Sequence, residues 1–70
     1  MRVILSDYRY LIGYFGKSNA DSILRQVKKL SYTEENCPKV GNTIDMGGFY
    51  IEVMEIRGND IIVMFDKTKP

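Results

Sequence analysis

Two apolar segments near the end of this sequence constrain its fold more than any other feature. Phe49–Ile56 and Asp60–Asp66 are rich in β-branched, aromatic and other apolar residues, and Arg57-Gly58-Asn59 separates them. Short segments of this kind joined by a glycine-containing turn predict a β-hairpin. The hairpin is therefore the element from which the rest of the fold can be argued.

The alternation of side chains along this hairpin predicts two apolar faces. Successive residues of a strand point to opposite faces, so a one-residue shift in pairing reverses the face that each side chain takes. A loop with an odd number of residues places Phe49, Ile51, Val53, Ile61, Val63 and Phe65 on one face. The opposite face then receives Tyr50, Met54, Ile56, Ile62 and Met64. Both faces need a cover.

One helical pattern offers such a cover. Ala20, Ile23, Leu24 and Val27 recur at the spacing of a helix with one apolar side. Ser18 is the predicted N-cap, and the helix is expected over Asn19–Leu30. A helix of this length is roughly 18 Å long and covers one face of a small sheet. The second face must either fold into a partial barrel or contact another molecule.

The remaining segments complete the predicted fold. Arg2–Leu5 and Tyr8–Phe15 are interpreted as two strands, with a helix capped by Ser6 as the alternative for the second of them. Ser31–Gly41 is expected to be a loop, and Val40–Met46 a short edge strand. The prediction is a single α+β domain over residues 1–70, with a curved antiparallel sheet in the order β-β-α-β-β-β.

Composition limits both the reinforcement of this fold and its chemistry. The chain has 70 residues, no histidine and one cysteine, Cys37. It therefore cannot form an internal disulfide, and a metal site or another cofactor is not expected. Without histidine there is no Ser-His or Cys-His pair, so we expect no enzyme activity and no catalytic residue. Small domains often gain stability by oligomerisation, which remains available to this chain.

Two other groups could in principle carry chemistry. Cys37 is expected to be an unreactive loop thiol, because Lys39 and the two carboxylates Glu34 and Glu35 have opposing effects on its ionisation. Glu52 and Glu55 form a second pair of carboxylates, but they should point to opposite faces of one strand. Neither pair is expected to form an active site.

Nucleic-acid binding is the alternative function that the sequence leaves open. Basic side chains alternate with tyrosines that could stack on unpaired bases. The residues concerned are Tyr8, Arg9, Tyr10, Tyr14, Lys17, Arg25, Lys28 and Lys29. This reading ranks second because the formal net charge is only +1.

The stretch from Pro38 to Phe65 resembles strand patterns of two known families. The resemblance is carried by Val40-Gly41-Asn42-Thr43-Ile44, Gly48-Phe49, Ile51-Glu52-Val53 and Gly58. It is a resemblance to the C-terminal hairpin of the domain associated with CorC and HlyC transporters, and to the strand core of the carbon storage regulator family. The second resemblance implies an interlocked, RNA-binding dimer. That family places its helix last, whereas this chain places it before the hairpin, and no functional residue is carried over.

The sequence as a whole predicts a binding protein. Its longest apolar runs contain five residues or fewer, so no membrane span or export signal is expected, and a cytoplasmic location follows. The preferred interpretation is a non-enzymatic module that contacts a protein, either itself in a homo-oligomer or a host protein. Inhibition of a host protein by a phage or other mobile element would be one such role.

Overall fold

The computed structural model describes the whole chain, Met1 to Pro70. Its elements follow the order β-α-α-β-β-β. They are β1 (Arg2–Leu5), α1 (Tyr8–Phe15), α2 (Lys17–Lys28), β2 (Thr43–Asp45), β3 (Phe49–Arg57) and β4 (Asp60–Thr68). The predicted α+β class is confirmed. The predicted order is wrong at its second element, which is a helix.

The four strands form one open sheet in the order β1-β4-β3-β2. β3 pairs antiparallel with both of its neighbours, whereas β1 pairs parallel with β4. The sheet is therefore mixed and not wholly antiparallel, because the chain leaves β1 through two helices before it returns. It does not close into a barrel, and the short edge strand expected within Val40–Met46 is β2.

Helix α1 corrects the interpretation of Tyr8–Phe15 as a strand. Tyr8, Leu11, Ile12 and Phe15 are spaced as i, i+3, i+4 and i+7, which places them on one side of a helix. All four pack in or against the core, and Leu11 is buried. The helical spacing of the apolar residues thus outweighs the strand preference of the aromatic residues and the cost of Gly13.

Helix α2 has the predicted apolar side but begins earlier than predicted. Ala20, Ile23 and Val27 are buried, as the pattern indicated. The N-cap is Gly16 and not Ser18, and no side chain caps the helix. The helix starts at Lys17 because Gly16, with φ 89° and ψ 158°, turns the chain directly from α1 into α2.

The predicted hairpin forms, but its odd residue lies in a strand and not in the loop. The loop has two residues, with Gly58 at φ 60° in the first position, as in a type II′ turn. Met54 has no partner on β4, and Asp66 has none on β3, so each strand contains a bulge. Ile56 pairs with the core residue Ile61, which places Ile56 on the core side and not on the predicted second face.

The core lies between the two helices and one face of the sheet. It contains eleven buried apolar residues and no buried polar side chain. These residues are Val3, Leu5, Leu11, Ala20, Ile23, Val27, Phe49, Ile51, Val53, Ile61 and Val63. The predicted inner face of the hairpin is confirmed, with Phe65 half-buried beside it. Both helices therefore pack on the same side of the sheet.

Candidate functional site

The opposite side of the sheet is uncovered, and we call it the open face. Its central apolar residues are Ile4 on β1 and Ile62 and Met64 on β4, with Tyr50 on β3. Ile4 and Ile62 are cross-strand partners, as are Tyr50 and Lys67. None of these apolar residues packs against the core. Met54 stands exposed at the bulge. Three of the five predicted partner-face residues, Tyr50, Ile62 and Met64, therefore share this face.

The open face carries unequal charges along its length. Glu52 lies opposite Met64 near the centre and has no ion-pair partner. At one end, the ammonium groups of Lys67 and Lys69 each lie 5.8 Å from the centroid of the Tyr50 ring. Lys69 also forms an ion pair with Asp45, whereas Lys67 has none. The face therefore has an unpaired carboxylate at its centre and an unpaired ammonium toward one end.

A second surface lies where α1 approaches β4, and we call it the groove. It has a volume of about 530 Å³. Its walls are Asp7, Tyr10, Leu11, Tyr14, Phe15, Met64, Phe65 and Asp66. The rings of Tyr10 and Tyr14 stack with centroids 5.9 Å apart, and their side chains are 68% and 70% exposed. Met64 belongs to both surfaces, so the groove adjoins the open face.

The Asp7 carboxylate sits at one end of the groove. Both of its oxygens accept the backbone N–H of Phe65, at 3.3 and 3.2 Å. Burial raises the pKa of Asp7 above its usual value of 3.8, and the hydrogen bond from Phe65 counteracts part of this rise. Folding therefore favours the protonated form of Asp7, and the stability associated with this group falls as the pH rises through its folded pKa.

We expect Asp7 to titrate above Asp60 in the folded protein. The hydrogen bond and charge of Arg2 lower the pKa of Asp60, whereas burial raises that of Asp7. A titration of the side-chain carboxyl ¹³C resonances by NMR measures both values in one sample. Asp7→Asn keeps an acceptor for the Phe65 N–H and should remove the higher titration alone. An Asp7 pKa at or below that of Asp60 would contradict the burial of this carboxylate.

The residues of the nucleic-acid alternative fall into separate groups. Tyr8 and Lys17 both contact the carboxylate of Asp21, through the tyrosine hydroxyl and through an ion pair of 3.1 Å. Tyr10 and Tyr14 line the groove beside two carboxylates. The remaining residues, which are Arg9, Arg25, Lys28 and Lys29, are exposed and form no ion pair. Contacts therefore do not join the tyrosines and the unpaired basic groups into one surface.

The groups that could carry other chemistry are dispersed. Cys37 is half-buried, and its Sγ lies 3.3 Å from the carbonyl oxygen of Pro38. Glu34 and Glu35 are exposed in the loop before it. Glu55 is held by Arg57 at 2.9 Å, which lowers the pKa of Glu55. No three histidine, cysteine, aspartate or glutamate side chains come together as a metal site would require.

Sequence reasoning missed the groove because it treated Tyr8–Phe15 as a strand. In that interpretation Tyr10 and Tyr14 lie in the sheet, and Asp7 belongs to a turn with no further contact. The signal that could have located the groove is the pairing of exposed tyrosines at i and i+4 on α1, beside the buried side that carries Leu11. Ile4 was likewise not assigned to the open face.

Comparison of the chain with known protein families, with curated proteins and with solved structures finds no match. The helices of the structure are also too short and too polar to cross a membrane. The open face and the groove are therefore the features of this chain from which a function can be inferred.

Proposed function

We propose that this protein is a non-enzymatic binding module that contacts protein through the open face, with a second copy of the chain as the first occupant. The observation that supports this proposal is the apolar centre formed by Ile4 and Ile62, which are partly exposed, and Met64, which is 36% exposed, none of which packs against the core. One face of an antiparallel sheet is often solvated, but that face then usually carries polar residues. Here the centre of the face is apolar across two neighbouring strands, which is typical of an interaction surface.

The charges of the open face favour a second copy as the occupant. A two-fold axis brings the same patch of two copies together, so a group away from the axis meets a different group of the other copy, and the contact is made twice. Neither Glu52 nor Lys67 is ion-paired within the chain, and they occupy different positions along the face. An antiparallel arrangement would let Lys67 of one copy approach Glu52 of the other, in both directions at once.

The size of the open face sets the strength that this contact can have. β1 and β2 are short, so the four strands, at about 3.3 Å per residue and about 4.8 Å apart, present roughly 400 Å² per copy. Two copies would bury roughly 800 Å², which is below the standard size of specific protein interfaces and in the range of weak, transient ones. We therefore expect a weak, concentration-dependent dimer. The second proposed occupant of this face is a host protein, which the chain would block as a phage or mobile-element inhibitor does.

Ile62→Lys tests the proposal. Wild type should rise in mass from 8.1 kDa toward twice that value as its concentration increases. Sedimentation equilibrium between about 10 µM and about 1 mM covers the affinity that such an interface allows. The variant should stay monomeric, since dimerisation would have to bury the lysine ammonium, whereas in the single chain it stays solvated opposite Glu55.

Val40→Lys is the matched control, because Val40 is 60% exposed in the loop and belongs to none of the strands. It should dimerise as wild type does. Circular dichroism must show that both variants are folded. A wild type that remains monomeric at the highest concentration contradicts self-association, and an Ile62→Lys variant that unfolds would show that this face is required for folding.

RNA or single-stranded nucleic acid remains the second proposed partner. The free basic groups of Arg9, Arg25, Lys28 and Lys29 support it. It ranks below protein binding because the exposed tyrosines of the groove lie beside Asp7 and Asp66, which would repel a phosphate backbone. Fluorescence anisotropy with mixed-sequence oligonucleotides at low salt tests this alternative.

A further inference from the structure

The sheet has a free edge inside the groove. β1 pairs with β4 only from Asp60 to Val63, and the last contact is the Ser6 N–H to the Val63 carbonyl at 2.8 Å. β4 continues to Thr68 with β3 on one side and no strand on the other. Unpaired backbone groups at such an edge form hydrogen bonds with an added strand.

The molecule itself fills the first position of this edge with a side chain. The Phe65 N–H, which would otherwise continue the pairing after Val63, donates to the carboxylate of Asp7. Beyond Phe65 the groove follows the edge as far as Asp66, and its opposite wall is the side of α1 that carries Tyr10 and Tyr14. A strand edge facing a helix across an apolar groove is a geometry that accepts an extended peptide.

The groove also has a definite charge. Asp7 and Asp66 are its only charged walls, and neither belongs to an ion pair. Six of its eight walls are apolar or aromatic. The complementary ligand therefore combines apolar side chains with a basic one. A phosphate-bearing or acidic ligand would be repelled by both carboxylates.

We infer that the groove binds an extended, basic segment of a partner protein, which adds as a strand to the free edge of β4. In this arrangement an apolar side chain packs on the tyrosine pair and a basic side chain pairs with Asp66. The segment takes up the space that a longer β1 would occupy. This site is distinct from the open face and shares only Met64 with it.

The probe is a capped, fluorescein-labelled peptide of eight residues that alternates valine with arginine. Two further versions carry N-methyl groups, one on every valine and one on every arginine. Every second amide of an added strand points to β4, so one methylated version should lose binding while the other retains it. A version with glutamate in place of arginine should not bind.

Substitutions then locate the site. Asp66→Asn and Tyr14→Ala should each weaken binding roughly fivefold or more, as anchor residues of small interfaces do. Glu35→Gln likewise replaces a carboxylate by an amide, and Val40→Ala likewise truncates an exposed side chain to alanine. Both positions lie outside the groove, so both variants should leave affinity unchanged. NMR shifts of backbone amides should concentrate at residues 65–68. The Ile62→Lys variant should bind as wild type does, whether or not the open face self-associates.

Four results would overturn the inference. The first is that the valine-arginine peptide does not bind at about 1 mM, and the second is that both methylated versions bind equally well. The third is that the amide shifts centre on Ile4, Glu52 and Ile62. The fourth is that shifts at residues 65–68 depend on protein concentration alone. The third result would assign the peptide to the open face, and the fourth would place a second copy in the groove.

Discussion

Replacing Leu11 by alanine is expected to unfold most of the protein. Leu11 is 2% exposed and is the buried residue of α1. Removing a buried leucine side chain costs about 2 to 5 kcal/mol, whereas a domain of this size has a net stability of only about 3 to 5 kcal/mol. Equilibrium urea unfolding, followed by circular dichroism, measures the loss.

Tyr14→Ala, three residues further along the same helix, is the control. Its side chain is 70% exposed, so the stability should change by less than about 0.5 kcal/mol. The pair of variants tests whether α1 packs on the core through Leu11. If Leu11→Ala lowers the free energy of unfolding only slightly, the packing of α1 is contradicted.

Alanine should have opposite effects at two glycines three positions apart. Gly16 has φ 89° and ψ 158°, a conformation that residues with a Cβ rarely adopt, and Gly16→Ala should destabilise by about 1 to 3 kcal/mol. Gly13 lies inside α1 without a positive φ, and Gly13→Ala should stabilise by about 0.5 to 1 kcal/mol. A Cβ meets no atom within 4 Å at either position, so neither effect is steric contact.

Thermal unfolding distinguishes the two glycine variants clearly. In a domain of this size each kcal/mol shifts the midpoint by about 4 to 8 °C, so the two midpoints should move apart in opposite directions from that of wild type. Destabilisation by Gly13→Ala would mean that residues 8–15 are not helical. If the unfolding midpoint of Gly16→Ala equals that of wild type, α1 and α2 are not joined by this conformation of Gly16.

The hairpin and the inner face of the sheet could be predicted because local chemistry specifies them. Gly58 supplies the positive φ that a tight turn needs, and the alternation of residues on either side keeps Ile51, Val53 and Val63 on one face. The bulges at Met54 and Asp66 were not predictable. A bulge replaces an odd-numbered loop without any change in residue pattern, and it moved Ile56 to the core side.

The error at Tyr8–Phe15 has a different origin. Aromatic residues and Gly13 were weighed as intrinsic preferences, which total only a few tenths to about 1 kcal/mol per residue. Burial of one side of the helix, with Leu11 at its centre, outweighs them. The same change relocated Tyr10 and Tyr14 from the sheet to the groove. The open face, in contrast, was predictable from the surplus of apolar residues in the hairpin.

The pairing of the first strand with the last has a consequence for how the chain folds. Residues of β1 meet partners 58 positions away, as in Arg2 with Asp60, whereas β3 with β4 and α1 with α2 are neighbours along the chain. Closing a long loop costs entropy that nearby contacts avoid. The hairpin and the helix pair can therefore form early, and β1 docks last. Weakening β1 at Val3 should then chiefly accelerate unfolding, whereas weakening the hairpin should slow folding.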